Sequence, residues 1–291
     1  MFKKVLAISI ATGFSFGAAA LHLPPGKNNG RVINQDVAQY AVKFVIGGPY
    51  KIDGKNAGAY MGLCSGTFIS DRVLLTAGHC IPSVESGDDQ TLGLFQFDGD
   101  RFKDLVGFKG RQFQAIAHPA YATLDEMAEL EFGSYIDIGV IKFSQPVYHG
   151  PVAKLFETAK GEKLSRASFT QGAQFFAIGG GTRNYPWYFP ARELQNQLYA
   201  FSEPMKGSVT TLISADGRLD IKMPRGVKVC VGDSGGPVLT TSGNKISVAG
   251  VLSQGYAQRN LIGKQIPCGQ QVFAASVSGE NGDWIRSHLE K

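Results

Sequence analysis

An all-β fold is what this sequence predicts, on three observations. Short runs rich in β-branched and aromatic residues recur along the chain, bounded by Gly, Asp, Asn or Pro. That punctuation belongs to a sandwich or barrel rather than to alternating strand and helix units. Glycine supplies 37 of 291 residues, nearly twice the usual share, as turns and close backbone approaches require. With 43% hydrophobic and 18% charged residues, the chain has the apolar material for a core, which excludes intrinsic disorder. Its length suits one large or two ordinary domains and excludes a disulfide miniprotein.

Taken in order, residues 1–20 read as an export signal. Lys3 and Lys4 precede an apolar run from Val5 to Phe16, and Ala18 and Ala20 supply the small-x-small cleavage pattern. The run is broken by Ser and Gly and is shorter than a membrane span needs. The expected product is secreted or periplasmic, with no membrane association after processing. Strands are expected at Ala41 to Ile46, Thr67 to Ile69, Val73 to Thr76, Leu92 to Phe97, Phe113 to Ala117, Ile138 to Phe143 and Ala173 to Ile178. Three more are expected at Pro237 to Thr240, Ile246 to Leu252 and Val272 to Ala275. The polar stretch Lys142 to Lys163 is a candidate linker between two halves. A terminal helix is expected over about 281–290, with Asn281 as cap and Trp284, Ile285, His288 and Leu289 at helical spacing.

The formal net charge is +5, which on its face suggests an acidic partner. Residues 1–31 hold four basic side chains, Lys3, Lys4, Lys27 and Arg31, and no acid. Without them, 25 basic side chains face 24 acidic ones, so the body is nearly neutral and no nucleic-acid partner is expected. Four cysteines, Cys64, Cys80, Cys230 and Cys268, allow three pairings. No C-x-x-C pair occurs, and disulfides in an oxidising compartment are the better reading than zinc.

Chemistry concentrates in three short segments. Gly232-Asp233-Ser234-Gly235-Gly236-Pro237 sets a serine among glycines. A serine hydroxyl is a weak nucleophile that needs an adjacent base, and the oxyanion it creates needs oriented N–H donors. Alone, the segment also fits the G-x-S-x-G nucleophile elbow. That fold needs an acid and then a histidine after the serine, and only His288 follows Ser234. Upstream stand Thr76-Ala77-Gly78-His79-Cys80, after an apolar strand, and Asp137-Ile138-Gly139-Val140-Ile141, with its acid at the mouth of another. The order His79, Asp137, Ser234 is that of a chymotrypsin-type triad.

Through these three motifs the chain resembles the trypsin-like serine peptidases of the chymotrypsin family, over Val32 to Lys291. The resemblance implies two packed six-stranded antiparallel β-barrels, over about 32–145 and about 160–280, with a C-terminal helix and the triad in the cleft. It implies disulfides Cys64–Cys80 and Cys230–Cys268. It also implies a serine endopeptidase acting on protein or peptide substrates without a cofactor or metal. Ser234 would attack the peptide carbonyl, His79 would take and return the proton, and Asp137 would orient the imidazole. The N–H groups of Gly232 and Ser234 would form the oxyanion hole, with each donor worth about 3 kcal/mol. Activity should rise with pH through roughly 6 to 7.5.

In the family, cleavage after a basic residue frees an Ile or Val amine that folds inward. Val32 resembles that terminus, Arg31 the cleavage point and Asp233 its buried partner, which makes residues 21–31 an activation propeptide. Asn34 and Gln35 depart from the usual glycines. Gly180 likewise departs, standing where the family's glycine-flanked turn carries tryptophan. Lys228 falls at the floor of the specificity pocket, with Ser253, Gln254, Gly255 and Gln271 in its walls. A cation there would favour Asp or Glu before the scissile bond, and another trypsin-like protease would then be needed for activation. If Lys228 instead reaches outward to water, the floor is neutral. Isolated His118 and His149 read as surface or packing residues. The aromatic cluster Tyr185, Trp187, Tyr188 and Phe189 reads as loop packing, and the acids from Glu85 to Asp100 as solvated surface. The competing function is a catalytically inactive homologue serving as a binding module.

Overall fold

The computed structural model describes residues 19–22, 39–52, 55–82, 89–97, 102–104, 107–121, 136–158, 162–165, 168–169, 174–179, 199–204, 211–213, 218–222, 228–230, 232–242, 245–255, 258–259, 265–266 and 271–289. Two antiparallel sheets dominate it, each curled into a half-barrel. The first is built from β1 (Val42–Ile52), β2 (Lys55–Phe68), β3 (Val73–Thr76), β4 (Thr91–Phe97), β5 (Phe102–Asp104), β6 (Phe108–Lys109), β7 (Phe113–Ala117) and β8 (Gly139–Phe143). Its order is β5-β4-β1-β2-β3-β8-β7, with β6 beside β4. The second contains β9 (Gln174–Gly179), β10 (Tyr199–Pro204), β11 (Thr211–Ile213), β12 (Arg218–Lys222), β13 (Pro237–Ser242), β14 (Lys245–Gly255) and β15 (Gln271–Ser276). Its order is β10-β9-β13-β14-β15-β12-β11. A separate two-stranded ribbon pairs Ala19–His22, which straddles the expected signal cleavage, with Lys228–Cys230.

Alternation explains why these segments are strands. Val42, Phe44 and Ile46 on β1 and Leu92 and Leu94 on β4 are all buried in one core. Residues two apart on a strand share a face. Both expected strands at Val73–Thr76 and Phe113–Ala117 have those bounds. The hairpin β1–β2 extends well beyond the expected Ala41 to Ile46 and Thr67 to Ile69. Gly47, Gly48 and Pro49 stay in register with Met61, Tyr60 and Ala59, so a sheet partner carries through residues that look like turn formers.

The stretch after β8 is strapped down on its way from the first sheet to the second. Val147 and Tyr148 donate their N–H groups to Asp71, and Ala153 donates to Phe68. The Tyr148 ring stacks on Phe68 at 4.1 Å between centroids. Lys154 and Leu155 then add a parallel pairing to β14. The terminal helix, α1 (Gly279–Ser287), starts earlier than Asn281. Its N-cap is Ser278, while the Asn281 amide donates back to the Ser276 carbonyl. Ile285 is buried, and Trp284 meets the His118 ring edge-on at 4.7 Å, which makes His118 a packing residue. Among the described residues no helix is long and apolar enough to cross a membrane.

Candidate active site

His79 sits in a 3-10 turn, Gly78–Cys80, directly after β3. Two features fix that turn. The Cys64–Cys80 disulfide ties it to β2. At Gly78 an added Cβ would lie 2.9 Å from the Tyr121 ring and 3.1 Å from Asp137 Oδ1. Glycine therefore lets the turn approach the acid. Asp137, on the segment leading into β8, is 1% exposed. Its Oδ1 accepts the His79 backbone N–H at 2.8 Å, and its Oδ2 lies 2.7 Å from His79 Nδ1. The carboxylate thus holds both the backbone and the ring of His79, leaving Nε2 as the outward nitrogen.

Burial pushes the Asp137 carboxyl up, but the facing imidazole and the hydrogen bonds from His79 and Ser253 outweigh it and hold the group below the usual carboxylate range. For His79, burial pushes the imidazole down, and the charge and hydrogen bond of Asp137 win, leaving it raised. The pair is therefore an ionised acid beside a strengthened base.

Ser234 lies in the turn before β13, at 3% exposure. Gly232 and Gly235 hold this turn at φ of 95° and 83°, a region that L side chains rarely adopt. At Gly235 an added Cβ would also overlap Thr76 Oγ1 and the Ser65 carbonyl. Ser65 of β2 grips the turn from the first sheet. Its N–H donates to the Ser234 carbonyl at 2.7 Å and its hydroxyl to the Gly232 carbonyl at 2.6 Å. On the other side Gly235 N–H donates to the Leu252 carbonyl at 2.7 Å. The Ser234 hydroxyl points to the Ser253 carbonyl at 3.4 Å, and the Ser253 hydroxyl donates to Asp137 Oδ2. One residue of β14 therefore touches both the serine and the acid.

Comparisons with known proteins show the family. A family model described as Trypsin matches residues 37–271, most of the chain. The chain belongs to the trypsin family of serine peptidases. Among its curated relatives in that family is an anionic trypsin from Canis lupus familiaris, 30% identical over 73% of this chain and 76% of that one. Another is phenoloxidase-activating factor 3 from Holotrichia diomphalia, 26% identical over 81% of this chain. The match spans 66% of that longer relative. Among solved structures, neuropsin, a serine protease of mouse brain, superposes with a TM-score of 0.53 at 16% identity, covering 90% of this chain and 99% of that one. That likeness speaks for the fold.

Within this trypsin-family chain a run of contacts links His79 to Asp137, Asp137 to Ser253 and Ser253 to Ser234, while Ser65 holds Gly232 and Ser234. Ser253, expected in a pocket wall, aims its hydroxyl at Asp137. Lys228, Gln254, Gly255 and Gln271 lie on strands, but their side chains fall outside the described residues. Arg31, Val32 and Gly180 fall outside them entirely, as do Cys268 and the pairing of Cys230 with it. Cys64, His79 and Cys80 form a group of the kind that binds metal. Both sulfurs, however, are used in the disulfide and His79 Nδ1 faces Asp137. Ser65 and Lys43 escaped the sequence reading. Ser65 has no local signal beyond its place after Cys64, and Lys43 looks like the solvent-facing residue of an alternating strand.

Proposed function

We propose that the chain is a secreted serine endopeptidase in which Ser234 attacks the substrate carbonyl, His79 is the general base and then acid, and Asp137 holds the imidazole. The observation that carries this reading is the two-point grip of Asp137 on His79, through the backbone N–H at 2.8 Å and Nδ1 at 2.7 Å. That grip fixes the tautomer with Nε2 free to accept a proton, which a general base requires. The N–H groups of Gly232 and Ser234 are assigned to the oxyanion that forms on the carbonyl oxygen. Collapse of the tetrahedral intermediate gives an acyl-enzyme on Ser234, and water activated by His79 releases it.

Export followed by cleavage after Arg31 would free the Val32 ammonium for Asp233, which is fully buried. Specificity then rests on Lys228. With its ammonium at the pocket floor the enzyme prefers Asp or Glu before the scissile bond, and substrates differing only at that residue would reveal it. A dominant Arg or Lys signal would exclude it. The assignment of mechanism is tested by a fluorophosphonate probe. Ser234 should be labelled in the processed protein and not in Ser234→Ala. Absence of labelling in the processed wild type would instead favour a binding module.

A further inference from the structure

Two imidazoles touch one indole where the terminal helix meets the first sheet. The Trp284 ring of α1 lies 4.7 Å from the His118 ring and 4.6 Å from the His288 ring, edge-on to both. His118 opens a four-residue turn directly after β7. Pro119 takes the second position, which suits its fixed φ, and the Tyr121 N–H closes the turn on the His118 carbonyl at 2.8 Å. Within the turn the Ala120 N–H donates to His118 Nδ1 at 3.1 Å. That bond needs a lone pair on Nδ1, so the proton of the neutral ring is on Nε2. Both ends of the turn touch the candidate site. At its start the His118 N–H donates at 2.8 Å to the carbonyl of Ile138, the residue after Asp137. At its end the Tyr121 ring lies so near Gly78 that a Cβ added there would be 2.9 Å from it, and Gly78 is the chain neighbour of His79.

We propose that the His118–Tyr121 turn is a proton-sensitive brace for the His79–Asp137 pair, closed while His118 Nδ1 accepts the Ala120 N–H and opened when that nitrogen takes a proton. His118 is then a positioning residue, and its role rests on the reading of His79 as the general base. Protonation converts Nδ1 from an acceptor to a donor, which cannot face the Ala120 N–H. The ring has to turn out of the bond, and with it go its seat against Trp284 and the hold of Tyr121 on Gly78. Among the described residues the charged groups acting on His118 are Glu280, which favours the protonated ring, and His288, which opposes it; both belong to the terminal helix or its cap. The Asp137 carboxylate is engaged by His79 and Ser253, and Arg286 of α1 is paired with Asp283. Burial is the largest influence, and it holds the His118 imidazole below its ordinary 6.5 despite Glu280. A histidine so held favours the closed turn above that pH, and its contribution is lost as pH falls through the lowered native value. Two titrations therefore act in series in acid. His79, raised above 6.5, loses its basicity first, and His118 then withdraws the support.

The experiment follows one spectroscopic and one kinetic signal in the processed protein. Of the two tryptophans, Trp187→Phe leaves Trp284 as the reporter, and His288→Asn removes the second imidazole from its ring. In that background Trp284 emission should change as pH is lowered, with a midpoint below 6.5 because burial outweighs Glu280. Adding His118→Asn should abolish the change. The Asn carboxamide oxygen can accept the Ala120 N–H in the same way and does not titrate. On a small ester, log kcat/KM of the wild type should fall with a slope of about one as His79 protonates and steepen to about two once His118 follows. With His118→Asn the slope should stay at about one. His118→Phe, which keeps a ring for Trp284 and offers no acceptor, should lower kcat on the alkaline plateau by about three- to tenfold with KM within about twofold. Flat Trp284 emission, a steepened limb that persists in His118→Asn, or an unchanged kcat in His118→Phe overturns the inference. A wild type that neither turns over the ester nor labels at Ser234 overturns the peptidase reading instead, while Trp284 emission still reports on the turn by itself.

Discussion

Ser253 on β14 donates its hydroxyl to the same oxygen of Asp137 that faces His79 Nδ1. The acid is therefore held from both sheets, by the histidine turn of the first and by a strand of the second. Ser253→Ala should leave one side of a buried carboxylate short of a donor and cost about 1–3 kcal/mol. Because the Asp137 carboxyl is held below its ordinary value of 3.8, it stabilises the fold above that pH. The contribution is lost as pH falls through the native value. The substitution should move acid unfolding to higher pH, a shift that circular dichroism across pH 2 to 6 would detect (roughly the carboxylate range).

In the proposed mechanism the base, His79, governs the other end of the pH scale. His79 is raised above 6.5 and must be neutral to accept a proton, so the rising limb of kcat/KM should have its midpoint above that value. In Asp137→Asn the charge that raises it is gone and burial alone remains, so the midpoint should fall below 6.5. The rate at the plateau should drop about ten-thousandfold. A limb that stays in place in the Asn variant would break the link between Asp137 and the base.

Glycine at 235 answers a steric demand. Its φ of 83° and the lack of room beside Thr76 and Ser65 leave Gly235→Ala no relaxed position. The variant should lose more than about 3 kcal/mol and its fluorophosphonate labelling together. Urea unfolding with parallel labelling checks both.

The Cys64–Cys80 bridge joins residues 16 apart in the sequence. Its replacement by Cys64→Ala with Cys80→Ala should lower stability by about 3 kcal/mol. Since the bridge anchors the turn that carries His79, kcat should fall more than KM. Equal kcat in the two forms would mean that Asp137 alone suffices to place the ring.

What the sequence made legible follows from where the physics is local. Strands such as Val73–Thr76 announce themselves because alternation and flanking turns are contained within a few residues. The reach of β1 through Gly47, Gly48 and Pro49 does not, since only the opposing β2 residues keep those positions extended. The helix is capped three residues earlier than expected, at Ser278, while Asn281 binds the Ser276 carbonyl. At the site, His79, Asp137 and Ser234 stand out through their motifs. Ser253 and Lys43 could not. A hydroxyl in a strand carries no mark of the acid it will meet, and a lysine between Val42 and Phe44 reads as solvent-facing until a second sheet covers it.

The grip of Ser65 on the turn that carries Ser234 has a consequence for the newly made chain. A polypeptide emerging from its N-terminus completes the histidine and its acid early, yet Ser65 has nothing to hold until the glycine-rich turn arrives. Leu252 and Ser253, the other supports, arrive later still. The supports of the turn that carries Ser234 are thus complete only once residue 253 has been made.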